Sequence, residues 1–275
     1  MDQLHGSAGV WTYTHRQIAT DIADSFLAEA ERLGAACKDH GLPVFYYLDA
    51  ISAIELGREV EALSMLSRLE RLVLDLELAK ASEGEERSRE MGRLLCSSEP
   101  GVAFGARAEL VAHRFLREDV LALREATLVW EDKPDFMLTT SDGVLKVEVT
   151  HAQVTGRRDH PLTYKVRQKI AEKARKPYAG LDTLVKVDVT GVYFADSLGG
   201  WDTGPDLVDG ARQELAISCL GGALVIYSGA TIVGDLETRY VPVVSSRGSG
   251  ALCSFVAKAY PVAPAGYGVR LFRTP

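Results

Sequence analysis

The sequence lacks any long hydrophobic run. No segment of the 275-residue chain approaches the roughly 18 uninterrupted apolar residues that a membrane-spanning helix needs. Residues 1–9 also lack a basic stretch followed by an apolar run, which is the pattern of a secretory signal. We therefore expect a cytoplasmic protein that does not associate with membranes.

Cysteine is scarce, and its spacing excludes two kinds of site. The chain has four cysteines, which lie far apart and form no CxxC pair: Cys37, Cys96, Cys219 and Cys253. Neither a zinc knuckle nor a redox motif is therefore indicated. In a reducing cytoplasm, we expect these cysteines to be small core residues.

An excess of positive charge is missing as well. The formal net charge is −7, which counts against a protein that coats nucleic acid non-specifically, because phosphate contacts require clustered Lys and Arg. The glycine pairs of Gly199-Gly200-Trp201 and Gly221-Gly222 match neither a GxGxxG nor a P-loop fingerprint, and no GxSxG elbow occurs. An acidic chain can still carry a local basic surface, and a metal site itself requires carboxylates.

The chain changes character at Pro100, and the part before it is predicted to be helical. The predicted helices, defined by apolar residues at three- and four-residue spacing, cover about 14–33, 45–56, 59–81 and 83–96. Gly41-Leu42-Pro43 is expected to end the first of them. We interpret residues 1–99 as an α-helical bundle. The leucine spacing does not separate this interpretation from a module for homodimerisation or partner docking.

Residues 100–275 are predicted to mix helices and strands. The predicted helices are Phe104–Leu123, Leu162–Arg175 and Leu207–Cys219, and the predicted strands are 127–130, 135–140, 144–150, 184–194, 223–227, 240–244 and 269–272. Thr140-Ser141-Asp142-Gly143 has the composition of a hairpin turn. This order predicts an α/β fold with a mixed central sheet.

Two carboxylates lie on the two predicted strands of that hairpin. Asp135 begins the first strand, and Glu148 lies within the second. Because strand side chains alternate, Lys146, Glu148 and Thr150 share one face, and we expect that polar face at a site rather than in the core. Neighbouring carboxylates repel each other unless a cation lies between them, and a hard divalent ion with oxygen ligands is the usual solution.

The Pro-Asp, the short hairpin and the Glu-x-x of Glu148-Val149-Thr150 resemble the PD-(D/E)xK nuclease superfamily. The resemblance covers about residues 101–194, where the order helix–hairpin–helix–strand also matches. It implies a restriction-endonuclease-like core in residues 100–275, with Mg²⁺ or Mn²⁺ as the cofactor and nucleic acid, DNA in preference to RNA, as the partner and substrate. It does not extend to the N-terminal helices.

The resemblance also implies roles for particular residues. The implied metal ligands are Glu109, Asp135, Glu148 and the backbone carbonyl of Val149. The helix after the hairpin is implied to face the phosphates, and its candidate nucleic-acid-binding residues are Lys165, Arg167, Gln168, Lys169 and Lys173. In an acidic chain, this concentration of positive charge is typical of a phosphate-facing surface.

One position departs from the family pattern. Thr150 stands where the family carries its catalytic lysine, and threonine cannot supply the positive charge. Lys146 on the same strand face, or Lys165 or Lys169 on the helix, are the candidates for a displaced lysine. The other outcome is a fold that persists without cleavage.

Each of these residues has an ordinary structural interpretation too. Asp135 follows Pro134 and could be a turn residue, Glu148 could be a solvated strand residue, and Glu109 a solvated helix residue. His113 shares a helix face with Glu109, so the pair could bind metal, although a surface histidine is the commoner case. The lysines of 165–176 could be a solvated helix face.

Three hypotheses follow from the sequence. The first, which we favour, is a metal-dependent nuclease that uses Asp135 and Glu148. The second is a nucleic-acid-binding or assembly protein on the same fold that has lost cleavage, as Thr150 suggests. The third is a protein whose function lies in the helical residues 1–99, with homodimerisation as the simplest case.

Overall fold

The structure is a computed structural model that describes residues 41–123, 126–152, 162–190, 204–230, 236–262 and 268–272. The predicted helix at 14–33 lies outside the described residues, as does Gly199-Gly200-Trp201. The chain forms two compact units. The first comprises residues 1–110, 229–237 and 271–275, and the second comprises residues 111–228 and 238–270. The predicted domain boundary at residues 99/100 stays a prediction. The two compact units divide after Leu110, which lies inside a helix.

Helices make up the described part of the first unit before residue 110. They are α1 (Leu42–Glu55), α2 (Glu59–Glu83), α3 (Glu85–Leu95) and the first half of α4 (Pro100–Ala122). α2 packs against both α1 and α3, and the buried Ser88 hydroxyl of α3 donates to the Leu76 carbonyl of α2 over 3.0 Å. α1 begins at Leu42, and Pro43 lies in its first turn, where no intrahelical N–H bond is lost. The prediction that Gly41-Leu42-Pro43 ends an earlier helix concerns residues outside the described part of the chain.

The second unit contains most of a mixed β-sheet. The strands are β1 (Thr127–Trp130), β2 (Phe136–Thr140), β3 (Gly143–His151), β4 (Thr183–Asp188), β5 (Gly222–Ala230), β6 (Leu236–Val244) and β7 (Gly268–Phe272). They form one seven-stranded sheet in sequential order. β2 pairs antiparallel with β1 and β3, whereas β4 pairs parallel with β3 and β5. The predicted α/β fold with a mixed sheet is confirmed.

Among the described residues, three further helices flank these strands: α5 (Leu162–Ala174), α6 (Gly204–Ile217) and α7 (Gly250–Ala259). α7 was not predicted. Its signal is Ser249, whose hydroxyl accepts a hydrogen bond from the Leu252 amide at the start of the helix. α5 packs on β3 and β4 and against α6. This position places α5 over the strand that carries Glu148.

β4 is buried along its whole length, and its two faces contact different partners. Val185 and Val187 belong to the apolar core that includes Val166 and Ile170 of α5. Lys186 points to the opposite face, where its ammonium lies 5.2 Å from the centre of the Phe115 ring and 5.5 Å from that of Tyr260. α5 and the Phe115–Tyr260 cluster therefore lie on opposite faces of the sheet.

The β2–β3 hairpin is closed by the turn that the sequence predicts. Gly143 has φ of 138°, a conformation that side chains with a Cβ rarely adopt. The Thr140 hydroxyl donates to the Gly143 carbonyl and accepts from the Asp142 amide. Strand pairing runs from Thr140↔Gly143 to Phe136↔Val147. The turn therefore fixes the register that sets β2 against β3.

The expectation for the cysteines is wrong in two respects. Cys219 and Cys253 are free but exposed. Cys96 is buried as expected, yet it is disulfide-bonded and not a reduced thiol. Cys37 lies outside the described residues.

Within the described residues, no helix combines the length and the apolar character that crossing a membrane requires.

Candidate active site

The centre of the candidate site is the pair Asp135 and Glu148. Phe136 pairs with Val147, so continuing this antiparallel register by one residue sets Asp135 opposite Glu148. Asp135 Oδ2 accepts a hydrogen bond of 2.6 Å from the Val149 amide, which anchors the carboxylate beyond the start of β2. The side-by-side placement that the hairpin predicts is therefore present.

The environment of the pair differs from the expected open polar face. Glu148 is only 1% exposed, although Lys146 and Thr150 on either side of it are half-buried. The reason is that α5 packs over this face of β3. The interpretation of Glu148 as a solvated strand residue is wrong, and a buried carboxylate requires a positive partner.

That partner is Lys173, in the last turn of α5. Its ammonium lies 2.6 Å from Glu148 Oε2 and 3.5 Å from Asp135 Oδ2. Asp135 and Lys173 are each 17% exposed, so the cluster is open to solvent on one side. One lysine thus neutralises part of the charge of two carboxylates that come from adjacent strands.

The pKa values of Asp135 and Lys173 are both raised by their surroundings. Burial raises the pKa of Asp135, and Glu148 adds to the rise, while Lys173 and the Val149 amide oppose it. Burial alone would lower the pKa of Lys173, but Asp135 and Glu148 outweigh it, and the pKa is raised. Lys173 is therefore held as an ammonium ion between the carboxylates.

Tyr178, in the turn after α5, is a fourth member of the cluster. Its hydroxyl donates toward the Glu148 carboxylate, and burial together with both carboxylates raises its pKa. Glu148 Oε1 is nevertheless buried without a well-formed hydrogen bond among the described residues. The cluster therefore has one buried carboxylate oxygen with unused capacity to accept a ligand.

The donor set suits a hard divalent cation. Glu148 Oε1 and Asp135 Oδ1 are carboxylate oxygens without well-formed hydrogen bonds to the described residues. By the alternation of backbone groups along a strand, the Val149 carbonyl points to the same side as its amide, toward Asp135. In the described part of the chain, no group of three or more His, Cys, Asp or Glu side chains could hold a metal ion. Two carboxylates suffice for Mg²⁺, which keeps several of its waters.

The other candidate cations have different surroundings. Lys146 forms an ion pair of 3.1 Å with Asp182 in the turn before β4. Lys169 pairs with Glu172 on its own helix at 2.9 Å, and Arg167 with Glu214 of α6 at 3.5 Å. Lys165 is half-buried on the first turns of α5. Lys173 is the one that the structure brings to the carboxylates.

The other two residues that the sequence offers as metal ligands, His113 and Glu109, lie on α4. His113 is fully buried and stacks on Trp130 with ring centres 4.6 Å apart, so the interpretation of it as a surface histidine is wrong. Glu109 is half-buried and belongs to the first compact unit. Its role as a third ligand stays a prediction.

No protein-family model, curated protein or solved structure matches this chain. The geometry of the Asp135–Glu148–Lys173 cluster therefore carries the functional argument by itself.

Lys173 was predicted only as a nucleic-acid-binding residue, and Tyr178 was not predicted. A signal for Lys173 was present. Val166, Ile170 and Lys173 follow the spacing i, i+4, i+7, which puts Lys173 on the same face as two residues that are fully buried. A lysine on the core-facing stripe of a helix needs a carboxylate partner. Tyr178 follows the helix, and no periodicity marks it.

Proposed function

We propose that this chain is a Mg²⁺-dependent nuclease of the PD-(D/E)xK type, acting on DNA in preference to RNA, in which Lys173 replaces the missing strand lysine. The observation that carries the proposal is the position of the Lys173 ammonium, 2.6 Å from Glu148 and 3.5 Å from Asp135. It supplies the positive charge that Thr150 cannot supply.

The connectivity around the cluster supports the proposal. An antiparallel hairpin, β2–β3, is followed by α5 and then by β4, which pairs parallel with β3. The order helix–hairpin–helix–strand is the one that the sequence resemblance implies. A restriction-endonuclease-like core in the second unit is the finer form of the α/β fold that we propose.

The residues of the chain divide the work as follows. Asp135, Glu148 and the Val149 carbonyl would hold the cation, with Asp135 oriented by the Val149 amide. Lys173 lies where a positive charge can orient an attacking water and offset the charge that develops on a phosphodiester. Tyr178 supports Glu148 from the turn behind α5. The bound cation would polarise the phosphodiester and activate a water.

The basic face of α5 supports DNA as the substrate class. Lys165, Arg167, Lys169 and Lys173 lie along one helix, with Gln168 exposed between them and Arg175 and Lys176 exposed just after it. Arg167 and Lys169 form ion pairs with Glu214 and Glu172, and Lys173 forms them with Glu148 and Asp135. The exposed Arg175 and Lys176 just after the helix add positive charge that phosphates can contact beside the carboxylate cluster.

The test is cleavage of DNA and RNA panels with Mg²⁺ or Mn²⁺. We predict cleavage by the wild-type protein and a loss of about 10²-fold or more in Glu148→Gln, Asp135→Asn and Lys173→Met, because each removes a group that holds charge at the site. The matched control is Glu131→Gln, which removes an exposed carboxylate just after β1 and should cut at the wild-type rate.

A wild-type protein that cuts no substrate with either metal would overturn the proposal. So would unimpaired cleavage by Glu148→Gln, because no other described carboxylate contacts Lys173 as closely.

A second candidate is nucleic-acid binding without cleavage. The observation that favours it is that Lys173 already neutralises the carboxylate pair. In that case the ion pairs are a structural feature, and DNA binding would not change when Mg²⁺ is removed with a chelator. Binding that persists unchanged, together with no cleavage, would select this candidate.

A further inference from the structure

The Lys173 ammonium and a divalent cation require the same carboxylates. Lys173 contacts Glu148 Oε2 and Asp135 Oδ2, which are oxygens of the two side chains proposed to hold the metal. A doubly charged ion between them would lie within a few ångströms of the ammonium. Like charges at such a distance repel each other strongly where water is partly excluded.

We infer that Lys173 is the resident counter-ion of the Asp135–Glu148 pair and must give up its ion pairs when a divalent cation binds. The inference rests on the metal site of the proposed function and adds how that site is regulated. Lys173 keeps the carboxylates paired in the absence of metal, lowers their affinity for it, and becomes available to an anion only after metal has bound.

The surroundings of Lys173 support an exchange of this kind. It lies in the last turn of α5, and its side chain is 17% exposed, so the ammonium has a path to solvent. The buried Glu148 Oε1 takes no well-formed hydrogen bond among the described residues, so this oxygen keeps its capacity to bind a cation once the ion pair opens.

The exchange also gives a role to the position of the lysine on a helix and not at residue 150 of the strand. A strand lysine at position 150 would extend from the same strand as Glu148, whereas Lys173 comes from a separate helix. A lysine on a separate element can move relative to the carboxylates without disturbing β3. Metal and substrate phosphate should consequently bind with positive cooperativity, because the metal releases the Lys173 ammonium, which can then contact the phosphate.

The test measures Mn²⁺ affinity by calorimetry, using the full chain and Mn²⁺ alone. Lys173→Met should bind Mn²⁺ about tenfold more tightly or better than the wild type, since the competing charge is gone while the carboxylates remain. Lys176→Met is the matched control. It makes the same change in net charge three residues along the chain, at an exposed position, and should change the affinity by less than about twofold.

A second measurement uses the wild-type protein and does not depend on the variant folding. Trace acetylation followed by mass spectrometry should show Lys173 modified more slowly than Lys176 without metal, and several-fold faster when Mn²⁺ is added. Equal or weaker Mn²⁺ affinity in a folded Lys173→Met protein would overturn the inference. So would a Lys173 acetylation rate that does not respond to Mn²⁺.

These outcomes are separable from those of the proposed function. Tighter Mn²⁺ binding in Lys173→Met, with no cleavage by any variant, would keep the exchange and discard the nuclease. Cleavage by the wild type, with unchanged Mn²⁺ affinity in Lys173→Met, would keep the nuclease and discard the exchange.

Discussion

At the scale of the residue, Thr150 and Lys173 raise the question of whether the positive charge at the site must come from a particular backbone position. Thr150 is two residues beyond Glu148 on β3 and lies on the same face. Lys173 reaches the carboxylates from α5 instead. If the site requires a positive charge near the carboxylates and not a particular backbone position, a lysine at either place should serve.

A lysine at position 150 should therefore restore cleavage to a protein that lacks Lys173. Lys173→Met should lose cleavage, and the double variant Lys173→Met/Thr150→Lys should regain at least about tenfold of the loss, because the strand position restores a charge-stabilising group. Cleavage rates of the two variants and of Thr150→Lys alone provide the measurement. A double variant as inactive as Lys173→Met would show that the helix position itself is required.

Removing Lys173 should also destabilise the metal-free protein. Glu148 is 1% exposed, and losing its cation leaves a buried charge without compensation. Because Lys173 is partly exposed, we expect a loss of about 1–3 kcal/mol in the free energy of unfolding, less than for a fully buried pair. Urea unfolding with a chelator present is the measurement, and Lys173→Met/Glu148→Gln should recover part of the loss. Equal stability of the wild type and Lys173→Met would mean that the ion pair makes no net contribution to the free energy of unfolding.

The residue scale also shows what a sequence alone can and cannot predict about a site. Asp135 and Glu148 could be predicted, because a hairpin turn and strand alternation bring them together locally. The burial of Glu148 could not, because it depends on where α5 packs. His113 has the same limitation, since its partners Trp130 and Phe136 come from two strands later in the chain.

At the scale of the element, the close packing of α5 and α6 determines where Lys173 lies. Gly210 of α6 faces the first turn of α5, and a Cβ built on it would lie 2.9 Å from the Thr163 carbonyl oxygen and 3.2 Å from the Thr163 Cα. These are backbone atoms, which cannot move without shifting the whole helix. Gly210 therefore permits a helix separation that no larger residue allows.

Gly210→Ala should consequently destabilise the protein. The clash should cost about 1–3 kcal/mol and exceed the gain in helix propensity of about 1 kcal/mol. Gly101→Ala is the matched control in α4, where a Cβ would meet nothing within 4 Å, and it should be neutral or slightly stabilising. Thermal unfolding of both variants measures the difference. A Gly210→Ala protein as stable as Gly101→Ala would show that α5 can shift freely.

Elements with strong local signals were predictable, and elements with long-range causes were not. The hairpin at Thr140–Gly143 and the strand of Val144–Thr150 carry their turn chemistry and alternation in sequence. α1 begins at Leu42 and not near residue 45 as predicted, because a proline is tolerated in the first turn of a helix. α7 is short, and its Ser249 cap is its main local signal.

At the scale of the whole molecule, the charge distribution predicts how DNA binding depends on salt. The chain carries a net charge of −7, while α5 concentrates basic residues. Electrostatic attraction to DNA should therefore be local to α5 and steeply reduced by salt. Each phosphate contact contributes about one unit to the slope of log affinity against log salt concentration.

Lys165→Ala/Lys169→Ala should weaken DNA binding and reduce that slope by about one to two units. Fluorescence anisotropy with a labelled duplex over a range of salt concentrations is the measurement. Arg87→Ala/Arg89→Ala is the control, because it removes the same charge from α3, where both arginines pair with glutamates of their own helix. Identical slopes for the two double variants would mean that α5 is only a solvated face.

The sequential order of the strands, β1 to β7, has a consequence for how the chain folds. β1, β2 and β3 are antiparallel neighbours joined by short connections. The parallel pairs β3–β4 and β4–β5 instead join residues that are distant in sequence, such as Lys146 and Thr183. Local pairing closes short loops and is fast, whereas parallel pairing is slow. In pulsed hydrogen-exchange experiments, we expect amides of β2 and β3 to gain protection before those of β4, so that Asp135 and Glu148 meet early and Lys173 joins them later in folding.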